Sequence, residues 1–415
     1  MPDDAQLCNL TRCFARPSPR RTEGKQEAAT SSRKLSSLQI CRGIAALLVV
    51  LFHLGGTLAA PKYFGTPAFY NIFLSGGVAG VYFFFVLSGF IITTVHWRDV
   101  GDARCLPNYI IKRFMRVYPI YWIVFAAVLT VFFVTHHEDF PKNASTILTA
   151  LALVPQDPAI VGGTGAPVLI VAWSLQYEVM FYTFFALLIT SRTAGCFAAV
   201  AAISSLLLAG VGVDTPLAFL RSALLGLFAA GMLVALAVRE GRWVPAAPYA
   251  VAIGVGGFIG LGAMATCIGT IDFEGSAWVT AYGLSASLVV FGLATCERQG
   301  WSPRWPAGVA LGDASYALYL VHYPLISLVC KAGVRTGLSG LAGAAVTWLT
   351  ALFVCITSAI ALHRWLERPL LRLATSHLYE RPPTRQAQTP PQPSSASAPH
   401  STADTVQNRT SLLRG

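Results

Sequence analysis

About ten separate stretches of the chain are apolar for close to the ~20 residues that a helix needs to cross the hydrocarbon layer of a membrane. They run at 36–58, 76–96, 117–134, 168–190, 194–212, 217–238, 245–268, 277–295, 308–330 and 341–363. Apolar and polar residues do not alternate within them, which excludes the strands of a transmembrane barrel. An all-α polytopic membrane bundle is then the expected fold, because the helix is the other architecture that satisfies its own backbone inside lipid. The whole chain agrees, with 54% hydrophobic and 12% charged residues in 415 and a mean hydropathy of +0.58, well outside the range of soluble domains.

Charge gives the expected orientation. With the N-terminus inside, the inner links carry Arg98, Arg104, Lys112, Arg113, Arg116, Arg192, Arg239, Arg242, Arg298 and Arg304. The outer links carry Lys62 and Lys142, with Lys331 and Arg335 as the exception. Lys and Arg favour the cytoplasmic side, so both termini are expected in the cytoplasm, as an even number of spans requires. The net charge of +11 is thereby a topology signal, and no nucleic-acid partner is needed to explain it.

Residues 1–34 are polar and basic, and residues 376–415 are rich in Pro, Ser, Thr and Gln. Both are expected to be disordered, flanking one membrane domain at 35–375. The first apolar run lacks an A-x-A cleavage site and is expected to stay in the membrane as a helix. The nine cysteines are scattered singly and read as small hydrophobes. His136, His137, Glu138 and Asp139 are adjacent on a link and read as solvated, so no metal is expected.

Ionisable side chains inside a span cost on the order of 2.5–3.5 kcal/mol each, and so each needs a reason. Arg42 and His53 lie eleven residues apart, which brings them to within roughly 20° of one another around a helix and separates them by about 16 Å along it. They read as two ends of a path on one stripe, although a topology anchor also explains Arg42. Lys112, Arg113 and Arg116 lie at the inner side of the third span, with Arg113 and Arg116 on one face. They serve either as positive-inside anchors or as a fork of donors for phosphate oxygens. Glu178 and Tyr182 share a face, and the carboxylate needs a partner, an arginine or the imidazole of His53, or a polar cavity. Arg221 opens a span where it can either snorkel or contribute to a site. Ser315, Tyr319 and His322 fall at i, i+4 and i+7, as an interhelical hydrogen-bond seam or as one wall of a site.

Taken in order, R-x10-H, GVYFFFVLSGF, KRFMRVYPIYW, WSLQYEVMFY, SYALYLVHYP and a closing ERP resemble the acyltransferase 3 family of integral membrane O-acyltransferases. The likeness is strongest to the bacterial branch that acetylates exopolysaccharides and O-antigens, and it covers Leu38 to Leu370. It implies a multi-pass protein of the bacterial inner membrane. It implies essential roles for His53 and Arg42, and handling of an acyl-coenzyme A donor by Arg113 and Arg116, with Lys112 beside them. It also matches Trp173, Ser174 and Glu178, and Ser315, Tyr316, Tyr319 and His322, so the substrate is expected among Trp173, Ser174, Tyr182, Arg221, Ser315, Tyr319 and His322. One position departs: Tyr82 stands where many relatives carry an acidic residue, and Glu178 is the nearest substitute.

The chemistry expected is transfer of an acetyl or other short acyl group from acetyl-coenzyme A, or another acyl-coenzyme A, to a carbohydrate or lipid-linked sugar hydroxyl. His53, neutral near pH 7 at an ordinary pKa of about 6.5, acts as general base or carries the acyl group itself. Arg42 stabilises charge, and Glu178 orients the imidazole or pairs with an arginine. Partners are the lipid bilayer and proteins of polysaccharide biosynthesis. Two other classes compete. A transporter or flippase requires repeats that the sequence does not display, and an assembly scaffold leaves His53 and Glu178 without a purpose.

Overall fold

The computed structural model describes residues 35–67, 69, 76–136, 141, 143–157, 161, 164–195, 222–268, 275–337 and 339–379. Among them there are helices and no strands. In chain order they are α1 (Ser36–Ala59), α2 (Gly76–His96), α3 (Leu106–Val134), α4 (Ala144–Leu151), α5 (Trp173–Thr190) and α6 (Ala223–Glu240). There follow α7 (Ala247–Ile268), α8 (Ser276–Arg298), α9 (Pro306–Asp313), α10 (Ser315–Arg335), α11 (Gly340–Leu362) and α12 (Arg368–Tyr379), the last two joined by a π-helical turn, His363–Glu367.

Nine helical segments among the described residues are long and apolar enough to cross a membrane, and each corresponds to an expected run. The run at 194–212 lies outside the described residues apart from its first two positions, as do the termini expected to be disordered, 1–34 and everything from 380 on. α12 carries helix to Tyr379, past the expected boundary at 375. Two spans differ from expectation. α3 begins at Leu106, eleven residues before its apolar run, because Pro107 suits the first turn of a helix and the basic stretch behind it is helix-compatible. The run at 308–330 is broken at Ala314 into α9 and α10. Gly43 and Gly312 let α9 lie against α1: a Cβ at Gly312 would come within 1.9 Å of the Gln39 carbonyl oxygen.

Burial ranks the helices. The apolar window of α2 is 72% buried, whereas that of α7 is 11% buried, so α2 is the central post and α7 faces lipid. α2 crosses α6 at two glycines, where added Cβ atoms would come within 2.1 Å (Gly89 to the Phe228 oxygen) and 2.0 Å (Gly231 to the Val86 oxygen) of opposing backbone. Small residues at such crossings let membrane helices approach closely.

Several hydrogen bonds collect helix ends on one face. The backbone N–H groups of Ser36 and Ser37 donate to the Glu297 carboxylate at 2.6 and 3.0 Å, an acidic cap on α1 supplied by the end of α8. Arg298 donates to the Val238 carbonyl at 2.8 Å, and the Gly101 N–H to that of Leu188 at 3.1 Å. The start of α1 and the ends of α2, α5, α6 and α8 therefore share what is called here the near face. Arg98, Arg192, Arg239, Arg242, Arg298 and Arg304 all lie at these helix ends or beside them.

Candidate functional site

Two cavities open along α1. The first lies toward the near face and is lined by Arg42 from α1, Ser88 from α2, Arg113 and Arg116 from α3, Ser174, Glu178 and Tyr182 from α5, and Ser315, Tyr316 and Tyr319 from α10. Its arginines are fixed before any ligand arrives. Arg42 donates to Gln39 Oε1 at 3.0 Å, and Gln39 in turn donates to Asp313 Oδ1 at 2.6 Å. Arg113 lies over the rings of Tyr109 and Tyr182, 5.8 Å from each centroid, and its Nη2 is 3.2 Å from His96 Nε2. His96 Nδ1 is 2.7 Å from Asp99 Oδ2. A carboxylate only accepts, so Nδ1 carries the hydrogen and Nε2 accepts from Arg113. Arg116 lies 5.1 Å over the Tyr316 ring and pairs with Glu367, which is 1% exposed and is also held by His363 Nδ1 at 2.8 Å. Glu178 accepts from the Tyr182 hydroxyl and, at 3.5 Å, from Ser88 Oγ.

Two polar atoms of this cavity, Arg113 Nε and Ser315 Oγ, are buried with no hydrogen-bond partner among the described residues. An orphaned buried polar atom costs about 1–3 kcal/mol. With three guanidinium groups and one carboxylate, Glu178, on its walls, the cavity suits an anion. Its volume of about 130 Å³ is below the ~300 Å³ of a site that encloses a drug-sized molecule, so only part of a large donor enters it.

The second cavity, of about 420 Å³, lies toward the far end of α1 and is lined by Phe52, His53, Thr57, Lys62, Tyr63, Tyr323 and Ser327. His53 Nδ1 is 3.0 Å from the Val49 carbonyl oxygen and 3.3 Å from Nε2 of His322. Between the cavities stand Tyr319, whose hydroxyl is 2.7 Å from Ser174 Oγ, and His322, which is wholly buried. Tyr319 also donates to the Val171 carbonyl at 3.1 Å. One helix thus presents an arginine to the first cavity and an imidazole to the second, and α10 supplies the partition.

The acyltransferase domain family matches residues 35–364, from the residue before α1 to the turn that follows α11. The chain belongs to this family, acyltransferase 3. Similar proteins include the exopolysaccharide production protein ExoZ of Rhizobium meliloti strain 1021, 32% identical over 306 residues that cover 71% of this chain and 90% of ExoZ. The acyltransferase MdmB of Streptomyces mycarofaciens is 27% identical over 379 residues, covering 82% of this chain and 92% of MdmB. No solved structure matches. The protein is a multi-pass membrane acyltransferase.

Within this acyltransferase the structure brings Arg42, Arg113, Arg116, Ser174, Glu178, Tyr182, Ser315 and Tyr319 to one cavity. Other expected site residues fall elsewhere. Lys112 is exposed and does not line the cavity, although it lies one turn before Arg116 on α3. Trp173 packs edge-on against Phe85 and Tyr177, with centroids 6.4 and 6.1 Å apart, and belongs to the aromatic core. His322 lies behind His53 and lines neither cavity. Glu178 does not reach His53: its partners are Tyr182 and Ser88, in the other cavity. Arg221 lies outside the described residues. Tyr82 is buried with its ring 5.9 Å from that of Tyr282 on α8, so the departure from the family pattern faces a helix contact and the arginine cavity keeps Glu178 as its carboxylate.

Sequence reasoning missed Gln39, His96, Asp99 and Glu367. The Asp99–His96 spacing of i, i+3 at the end of an apolar run was available as a signal, and so was His363 at i−4 from Glu367. In the sequence Glu367 belongs to the closing ERP, and the structure turns it inward under Arg116.

Proposed function

We propose that this acyltransferase moves an acetyl or other short acyl group from acyl-coenzyme A to a hydroxyl of an exported carbohydrate or lipid-linked sugar. The observation that carries the donor assignment is the cavity lined by three arginines, Arg42, Arg113 and Arg116. A planar fork of charge-assisted donors recognises phosphate oxygens, and coenzyme A carries several. The concentration of arginines at the near face supports its being the cytoplasmic face of the bacterial inner membrane, where the donor is made. The exopolysaccharide association of ExoZ supports a carbohydrate acceptor, and the hydroxyl-lined far cavity is the place for it.

The residues then divide the work. Arg113 and Arg116 hold donor phosphates, and Arg42 stabilises the oxyanion or binds a donor oxygen. The slender thioester arm runs along α1 toward His53. His53 removes the proton from the acceptor hydroxyl as its oxygen bonds to the thioester carbonyl; the carbon–sulfur bond breaks, and the departing thiolate recovers the proton. Tyr319 and His322 separate the cavities in this conformation, so delivery of the acyl group requires the Ser174–Tyr319 contact to open.

The test is purified protein in detergent with radiolabelled acetyl-coenzyme A, measuring binding and slow acetyl release. Arg113→Ala is expected to weaken binding about tenfold or more, a charge-assisted contact being worth about 1.5–3 kcal/mol. Replacing Arg116 as well should weaken it further. His53→Ala is expected to bind normally and to slow release by about 10²–10⁴. Folded wild-type protein that neither binds acetyl-coenzyme A nor releases acetyl would overturn the donor assignment.

A further inference from the structure

We propose that His322 is a positioning residue that, together with the Val49 carbonyl, holds the tautomer of His53 and accepts a hydrogen bond from its imidazolium while the acceptor hydroxyl is deprotonated. This rests on the reading of His53 as general base. The proposal starts from the atoms around the two rings. His322 Nδ1 lies 2.8 Å from the Tyr319 carbonyl oxygen and 3.2 Å from that of Leu318. Carbonyls only accept, so Nδ1 of His322 carries its hydrogen and Nε2 is left as a lone pair. That lone pair lies 3.3 Å from His53 Nδ1.

His53 Nδ1 in turn faces two acceptors, the Val49 carbonyl oxygen at 3.0 Å and His322 Nε2. It therefore carries the hydrogen, and the unprotonated Nε2 of His53 is the atom left for the far cavity. Without this arrangement an imidazole is free to adopt either tautomer, and one of the two presents an N–H to the acceptor and is useless as a base. The two carbonyls on His322 act on His53 at one remove, since they prevent Nε2 of His322 from exchanging its role.

During the reaction the acceptor proton passes to His53 Nε2, the acyl carbon–oxygen bond forms, and the carbon–sulfur bond breaks. Nδ1–H stays on His53 and points at His322, where the new positive charge strengthens the hydrogen bond. The thiolate then takes the proton back from Nε2, and His322 ends unchanged. Catalytic bases are commonly oriented by a third group, often a carboxylate. A carboxylate buried in the middle of a span carries a desolvation cost that a neutral imidazole does not. His322 does this work without charge.

The experiment uses the full chain in detergent with radiolabelled acetyl-coenzyme A, water serving as acceptor. His322→Leu is expected to bind acetyl-coenzyme A as wild type does and to release acetate about 10- to 100-fold more slowly, the usual scale for removing an orienting partner. His322→Gln is expected to recover most of the rate, because Oε1 can accept where Nε2 did. A wild-type rate in His322→Leu, or equal slowing in Leu and Gln, overturns the proposal. A slow His53→Ala beside a wild-type His322→Leu sinks only the positioning role, whereas a wild-type rate in His53→Ala sinks the base reading with it. Independently of any His322 variant, 15N NMR of histidine-labelled wild type is expected to show His53 in the Nδ1–H form, assigned by loss of its signal in His53→Ala. An Nε2–H signal there overturns the assignment.

Discussion

Arg113 is constrained ahead of binding, with two tyrosine rings against its guanidinium and His96 at Nη2. Pre-organisation lowers the ordering cost of binding. His96→Leu, which keeps the volume and removes the acceptor, is therefore expected to raise the KM for acetyl-coenzyme A about tenfold or more, a hydrogen bond to a charged group being worth about 1.5–3 kcal/mol, with kcat nearly unchanged. Steady-state kinetics would separate this from a general loss of fold, which lowers both. Glu367 behaves differently because it is buried beneath Arg116. Glu367→Ala leaves a largely buried guanidinium unpaired and is expected to lower stability by about 3 kcal/mol, read as a fall in melting temperature in detergent. Part of this was legible from the chain: the eleven-residue spacing of Arg42 and His53 correctly placed them at two depths of one stripe. What spacing along a helix could not supply was the cross-helix partner. Gln39 meets Asp313 274 positions away, and Arg116 meets Glu367 251 positions away.

At the scale of elements, α1 and α2 matter in different ways. α1 carries Arg42 and His53 and is aimed by contacts at its start, the Glu297 cap and the close approach of Gly312 on α9. Gly312→Val is expected to push α9 away, separate Asp313 from Gln39 and loosen Arg42. Acetyl release should then fall more than acetyl-coenzyme A binding, which the proposal assigns to the α3 arginines. α2 is the central post, and Gly231→Leu would drive side-chain atoms into the Val86 and Phe90 backbone. Overpacking of this kind costs about 1–3 kcal/mol and should appear as a lower melting temperature. Apolar length gave the spans well because the bilayer imposes it. The break at Ala314 was hidden, since glycines in an apolar run look alike whether they permit a helix crossing or a close approach that bends the path.

On the scale of the whole molecule, two unlike cavities are stacked along one helix, cationic and small toward the near face, hydroxyl-lined and larger toward the far one. The arginine cavity predicts that acetyl-coenzyme A binding weakens as salt is raised, because attraction between partly exposed charges is screened within about 8–10 Å at 0.1–0.15 M. Titrations at low and high ionic strength would check this. The partition between the cavities has a further consequence. If, as proposed, the donor comes from one compartment and the acceptor from another, the enzyme stands in a barrier that also holds back ions and protons. Among the described residues the Ser174–Tyr319 contact and the buried His322 stand between the two cavities. The protein is therefore expected to insulate at rest. Wild-type protein reconstituted in liposomes should hold a pH gradient as long as protein-free vesicles do, and Tyr319→Gly should collapse it faster.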